Sequence, residues 1–285
     1  MTTMGSATIA RWAEVHRLAV AGRQADIAQG VGDRVGRVWL RVSRFADVEA
    51  LATATLTLGP DASAFYYRGR ARQATGRPQP ALQDFQQALA LYRQVGNRGN
   101  EAATLNNIGM VYEGLGDRGR ALDFYRQSLP IRREVGDRAG EAAALNNIGH
   151  LYDGLGDRGR ALDFYRQSLP IRREVGDRAG EAVTLNNIGM VYDGLGDRGR
   201  ALDFFRQALP ILREVGDRAG EAVTRYNIAM IHRVHGDLDN AIRELEHVVD
   251  LDRQVGHPDL ADDTAALQQL RQQQAATQKL PPSAP

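Results

Sequence analysis

EAATLNNIGMVYEGLGDRGRALDFYRQSLPIRREVGDRAG, residues 101–140, is the stretch whose reading decides the fold. The same 40 residues return at 141–180 with four changes, where Ala144, His150, Leu151 and Asp153 stand in place of Thr104, Met110, Val111 and Glu113. They return again at 181–220, and a diverged copy runs from Glu221 to about Gly256. A weaker copy spans Asp61 to Asn100. In it Gly69, Gly76, Ala81, Leu82, Phe85, Ala88 and Leu89 lie 40 residues before Gly109, Gly116, Ala121, Leu122, Tyr125, Ser128 and Leu129. Five copies at one fixed period are the signature of a solenoid, which grows in one dimension and so escapes the size limit of a single core.

Each copy reads as two helices. Ala102, Leu105, Ile108, Val111, Tyr112 and Leu115 recur at spacings of three and four, the period of one helical face. Gly116-Asp117 stops this helix, because glycine accepts the left-handed turn that ends one. A second helix is expected from about Arg118 to Val135, with Ala121, Leu122, Tyr125, Leu129 and Ile131 inward, until Gly136-Asp137 stops it in turn. Pro130, Pro170 and Pro210 fall inside the second helices, where each removes one hydrogen bond; a bend is expected there, not a break. The expected fold is therefore all-α, a right-handed α-solenoid of stacked antiparallel helix hairpins.

The residues Leu105, Gly109, Tyr112, Gly116-Asp117, Ala121, Tyr125 and Ser128 resemble the tetratricopeptide repeat family, whose pattern alternates apolar, small and aromatic residues around a Gly-Asp turn. The physical reading agrees: Gly109 and Ala121 allow close helix approach while Tyr112 and Tyr125 fill the space between hairpins. The 40-residue unit is similar to the longer variant of kinesin light chains. LNNIG and GDRAGEA are similar to repeats of bacterial STAND-type regulators. That class needs a nucleotide site, and no GxxxxGK[ST] loop occurs in the sequence.

Outside the regular copies, residues 1–60 read as a helical cap with a degenerate repeat from about 27 to 60. Within them, helices are expected at Ile9–Ala21 (Trp12, Val15, Leu18 and Ala19 inward), Val31–Phe45 (Val35, Val38, Trp39 and Val42 inward) and Phe45–Leu58. The repeats occupy 61–256. Pro258 opens a capping helix over 257–274, with Leu260, Leu267 and Leu270 covering the last face, and 275–285 reads as a disordered tail.

In such a family the first helix of each hairpin lines a concave surface. The resemblance thus implies a peptide groove formed by Asn106, Met110, Glu113, Asn146, His150, Asp153, Asn186, Met190 and Asp193, continued by Tyr226 and Arg233. Amides can pair with both groups of a peptide backbone, and methionine suits an adaptable surface. The adjacent Asn107, Asn147, Asn187 and Asn227 are expected to face the neighbouring hairpin.

Composition narrows the alternatives. The 36 basic and 35 acidic residues leave a net charge of +1, so there is no general attraction to nucleic acid or anionic membrane. An RNA-reading groove should be basic, yet Glu113, Asp153 and Asp193 fall on this face. There is no cysteine, which excludes disulfides and thiolate metal sites. His232 and His235 lack further ligands, so no metal and no cofactor is implied. No catalytic motif such as GxSxG or HExxH occurs, and the chain reads as a non-enzyme. The start has no apolar run long enough for a signal peptide and no stretch spans a bilayer, so the expected compartment is the cytoplasm. The expected role is binding a protein or peptide, as a regulator or sensor in bacterial signalling. The alternative is a self-associating scaffold or spacer.

Overall fold

The computed structural model describes residues 6–278. Among them lie fourteen α-helices and no strand. They fall into two compact units divided between Gly140 and Glu141.

The first unit holds α1 (Ser6–Ala21), α2 (Ala25–Arg41), α3 (Phe45–Leu56), α4 (Ala62–Ala74), α5 (Pro78–Gln94), α6 (Arg98–Gly114) and α7 (Arg118–Glu134). The second holds α8, whose span Arg138–Gly154 begins just before the division, then α9 (Arg158–Glu174), α10 (Arg178–Gly194), α11 (Arg198–Val215), α12 (Arg218–Val234), α13 (Leu238–Val255) and α14 (Leu260–Gln278). In each unit successive helices are joined by tight turns and pack as antiparallel hairpins.

The turns divide their labour between two residues. Gly116 takes φ 79°, in the left-handed region. The N–H of Asp117 then reaches back to the Tyr112 carbonyl at 2.9 Å, closing α6 in a Schellman pattern. The Asp117 side chain accepts from the Arg120 N–H at 3.0 Å and so caps α7. The aspartate therefore belongs to the next helix as much as to the stop. Asp157, Asp177, Asp197, Asp217 and Asp237 cap their helices in the same way.

Within a hairpin the two helices touch at glycine. A Cβ on Gly109 would lie 2.6 Å from the ring of Tyr125, and one on Gly189 would lie 2.6 Å from the ring of Phe205. Both rings are fully buried. Higher up the hairpin, Tyr112 stacks on Phe124 at 5.5 Å, and Tyr152 on Phe164 at the same distance. The guanidinium of Arg120, held by Asp117, covers Tyr112 at 4.3 Å. The helices carrying Pro130, Pro170 and Pro210 continue unbroken to Glu134, Glu174 and Val215, with the prolines on the exposed side.

The ends differ from the sequence reading. In α1 the buried residues are His16 and Ala19, while Val15 and Leu18 are exposed. The helix is turned so that His16 Nε2 meets Thr55 Oγ1 at 2.8 Å. The second helix begins at Ala25, not Val31, and stops at Arg41 because the chain turns at Ser43, φ 56°. Val42 is left exposed. The last helix begins at Leu260 and continues to Gln278, so residues 275–278 of the expected tail are helical; alanine and glutamine sustain a helix well. Residues 279–285 lie outside the described residues. Leu267 and Leu270 are buried against Ile242, Leu245 and Val249 of α13, with Leu260 packed beside them.

Replacing Gly189 by alanine should lower unfolding stability by roughly 1–3 kcal/mol, because the added methyl must displace a buried ring. Urea denaturation of G189A against wild type measures it, and an unchanged midpoint would show that the hairpin can open at no cost.

Candidate binding surface

The two asparagine columns of the first helices do not divide as the sequence suggested. In the first unit Asn107 is buried, and its Nδ2 donates to Tyr66 Oη and to the Ala103 carbonyl, both at 3.0 Å. That is the seam role expected of it. Asn106 is half-buried and its Nδ2 points to Met110 Sδ at 3.6 Å.

In the second unit Asn146 is only 7% exposed. Its Oδ1 accepts from Thr184 Oγ1 at 3.2 Å and from Asn187 Nδ2 at 3.3 Å. Asn186 is half-buried and exchanges hydrogen bonds with Thr224 Oγ1 at 2.7 and 3.0 Å. These two amides, expected to face a ligand, are instead links from α8 to α10 and from α10 to α12. The reason is steric and chemical together. A buried threonine hydroxyl 38 residues on presents a partner to the first asparagine, and a buried amide must be paired.

The carboxylates also separate. Glu113 is half-buried and accepts from Tyr125 Oη at 2.6 Å. Burial first, and then this bond, push the Tyr125 hydroxyl well above the usual phenol range. Asp153 is half-buried. Asp193 is exposed, with Arg198 Nε at 3.6 Å.

Of the remaining expected groove residues, Met110, Met190 and Tyr226 are exposed large side chains. In the first unit Met110 is 43% exposed. In the second unit Met190 is 50% exposed on α10, alongside His150 on α8 and Tyr226 and Arg233 on α12. Two residues the sequence reading missed join them: Val183 on α10 and Val223 on α12, the latter 51% exposed. Val183 lies seven residues before Met190 and Val223 three before Tyr226, so each shares its neighbour's helical face. That spacing was the available signal. Val183, Met190, Val223 and Tyr226 form a strip of exposed apolar groups on two first helices joined by the Asn186–Thr224 bond.

The first unit has a separate hollow of about 420 Å³ lined by Asp33, Arg37, Tyr66, Tyr67 and Arg70 among others. Tyr67 Oη donates to Asp33 Oδ1 at 2.8 Å, and Arg37 closes on the other carboxylate oxygen at 2.6 Å. Among the described residues no cluster of three or more histidine, aspartate or glutamate side chains is placed to hold a metal. No helix among them is long and apolar enough to cross a membrane.

The tetratricopeptide repeat pattern matches residues 60–134, 101–174 and 140–214, and a second tetratricopeptide repeat pattern matches 222–255. The chain belongs to the tetratricopeptide repeat family. Curated proteins give no match. Solved structures do. BtubC (BKLC) from P. vanneervenii is 23% identical with TM-score 0.63, over 74% of this chain and 90% of that one. A STAND protein with a tetratricopeptide repeat sensor, PH0952 from Pyrococcus horikoshii, is 15% identical with TM-score 0.67. It matches 88% of this chain, which spans 42% of that one. A Rap protein complexed with competence and sporulation factor is 13% identical with TM-score 0.61, over 95% of this chain and 99% of that one. At these identities the likeness is one of fold, and it agrees with the all-α hairpin stack. In this tetratricopeptide repeat chain the glycine turns and the glycine–aromatic contacts recur from hairpin to hairpin.

Asn146→Ala and Asn186→Ala should each lower stability by roughly 1–3 kcal/mol, the scale for stranding the partners of a buried hydrogen bond. Thermal melts decide it: a melting temperature equal to wild type would return these amides to the open surface.

Proposed function

We propose that this chain is a non-catalytic protein-interaction module that holds an extended peptide or partner segment across the first-helix faces of α10 and α12. The observation that carries this reading is the strip Val183, Met190, Val223 and Tyr226, exposed on helices whose other faces are used in hairpin packing. Large apolar side chains left exposed together on one side of a fold mark interaction sites. Methionine and tyrosine suit it, the one by flexibility and the other by a large rigid contact surface with a polar tip. His150, Asp193 and Arg233 supply a polar border. Met110 offers the same kind of contact in the first unit.

Because Asn146 and Asn186 are spent on inter-helix bonds, affinity here comes from side-chain burial and not from an amide ladder. The Rap structure, of the same fold, is complexed with competence and sporulation factor. The STAND structure of similar fold is described as having a tetratricopeptide repeat sensor. Both support a regulatory or sensing role for the chain, which we place in a bacterial signalling pathway in the cytoplasm.

The test is a random-peptide display screen on wild type and on the double variant Val183→Asp/Met190→Asp. Both positions are exposed, so the variant should melt as wild type does. Wild type is expected to enrich a peptide family that the variant binds at least tenfold more weakly. No enrichment by wild type, or equal binding by the variant, removes the proposal.

A further inference from the structure

Where α12, α13 and α14 meet, the second unit contains a cavity of about 380 Å³. One wall is apolar: Ala222, Val223, the ring of Tyr226, and Val248. The other is acidic. Asp252 of α13 lines the cavity although it is only 1% exposed, and its Oδ2 has no hydrogen-bond partner. Asp263, in the first turn of α14, faces it within hydrogen-bonding reach. Asp259 and Asp262 stand at the rim. No arginine or lysine lines the cavity; its basic member is His257, whose Nδ1 already accepts from the Asp259 N–H at 3.3 Å.

Two carboxyls in contact, one of them buried, are stable only with a proton or a cation between them. Burial first, then Asp252, push Asp263 up to about 6. The geometry leaves the buried Asp252 Oδ2 without a hydrogen-bond partner and sets a second carboxyl on the same cavity wall. A bare metal ion is a poor answer, since no cluster of metal-holding geometry exists among the described residues and half the wall is hydrocarbon. A planar guanidinium answers better. It can meet both carboxylates at once with paired N–H groups. Its aliphatic stem would lie along Val223 and Val248, beside the Tyr226 ring.

We propose that this pocket binds an alkyl-guanidinium group, either the side chain of an arginine in a bound protein segment or a free guanidinium compound. The first source rests on the interaction reading above, since Val223 and Tyr226 belong to both the strip and the pocket wall.

Two probes separate the sources: agmatine, and a capped Ala-Arg-Ala tripeptide with its citrulline counterpart. Calorimetric titration of the full chain at pH 7.5 and low salt should give saturable binding of agmatine or the arginine peptide and none of the neutral citrulline peptide. Asp252→Asn and Asp263→Asn should weaken binding at least tenfold. Val223→Trp, at an exposed position, should block the mouth without touching the carboxyls, and so keeps the test valid if an aspartate variant folds poorly. Agmatine binding alone assigns a small-molecule ligand, and binding of the arginine peptide assigns a protein segment. Lowering the pH through about 6 should weaken either, as Asp263 takes its proton. His257, Asp252, Asp259 and Asp262 are the remaining titratable groups facing the site.

No binding of either probe, or binding unchanged in all three variants, overturns the pocket. If peptides selected in the display screen still bind through Val183 and Met190 in that case, the interaction reading survives without it. In the absence of ligand Asp263→Asn should also raise the melting temperature at pH 7.5 and not at pH 4. A carboxyl whose folded value lies above its unfolded one costs stability as pH rises between the two. An Asp263→Asn melting temperature equal to wild type at both pH values would mean that no charge is trapped there.

Discussion

The contact of a glycine with a buried aromatic ring, repeated hairpin by hairpin, is the constraint on which the rest of the structure depends. At Gly109 and Tyr125, and at Gly189 and Phe205, there is no room for a single carbon. Because the helices can come so close, short side chains reach across. Ser128 Oγ donates to the Ala102 carbonyl at 2.9 Å and Ser168 Oγ to the Ala142 carbonyl at 2.8 Å. The flat stacks of Tyr112 on Phe124 and Tyr192 on Phe204 fit the same narrow gap. Wider spacing would strand those hydroxyls and leave voids, which packed interiors do not tolerate.

Charge organises the hairpin ends without supplying most of the stability. Asp117 caps α7, grips Arg120, and through it covers Tyr112. The Arg120 N–H first and its side chain second hold the Asp117 carboxyl below its usual range. Exposed pairs of this kind are individually weak. Their value here is that the turns at Asp157 and Asp197 repeat them, and in a solenoid a small term per unit accumulates along the chain. The ladder Arg93–Glu101–Arg98–Glu134 in the first unit recurs as Arg173–Glu181–Arg178–Glu214 in the second. Burial raises Glu101, but Arg93 and Arg98 more than offset it.

The fold was legible because period, glycine and turn residues all point one way, and such agreement across levels is what specifies a structure. The site was less so, for a geometric reason. Neighbouring residues on a helix are about 100° apart, so a stripe read from periodicity can be rotated by one position without breaking the pattern. Asn146 and Asn147 differ by that one step. The partner that settles the matter is Thr184, 38 residues away, and nothing local announces it. The same rotation error misplaced Val15 and Leu18 in α1, where a buried His16–Thr55 bond sets the face. The acidic pocket was out of reach altogether, because Asp252 and Asp263 come from different helices in the least repetitive part of the chain.

Near-identity of the repeats conceals paired substitutions that change their chemistry. Tyr125 holds Glu113 by its hydroxyl; where Phe205 replaces the tyrosine, the corresponding Asp193 is exposed and free of any phenol. Leu185 and Phe204 share an apolar cluster, and 40 residues on their places are taken by Arg225 and Glu244, which pair at 2.5 Å while Arg225 also meets Glu221 at 2.9 Å. In the second case the matched exchange matters, since a single buried charge is far costlier than a matched pair. The Arg225–Glu244 exchange falls on α12 and α13, next to the strip and the acidic cavity. Duplication therefore explains the regular hairpins, while the departures from it lie where the chain presents chemistry that its other repeats lack.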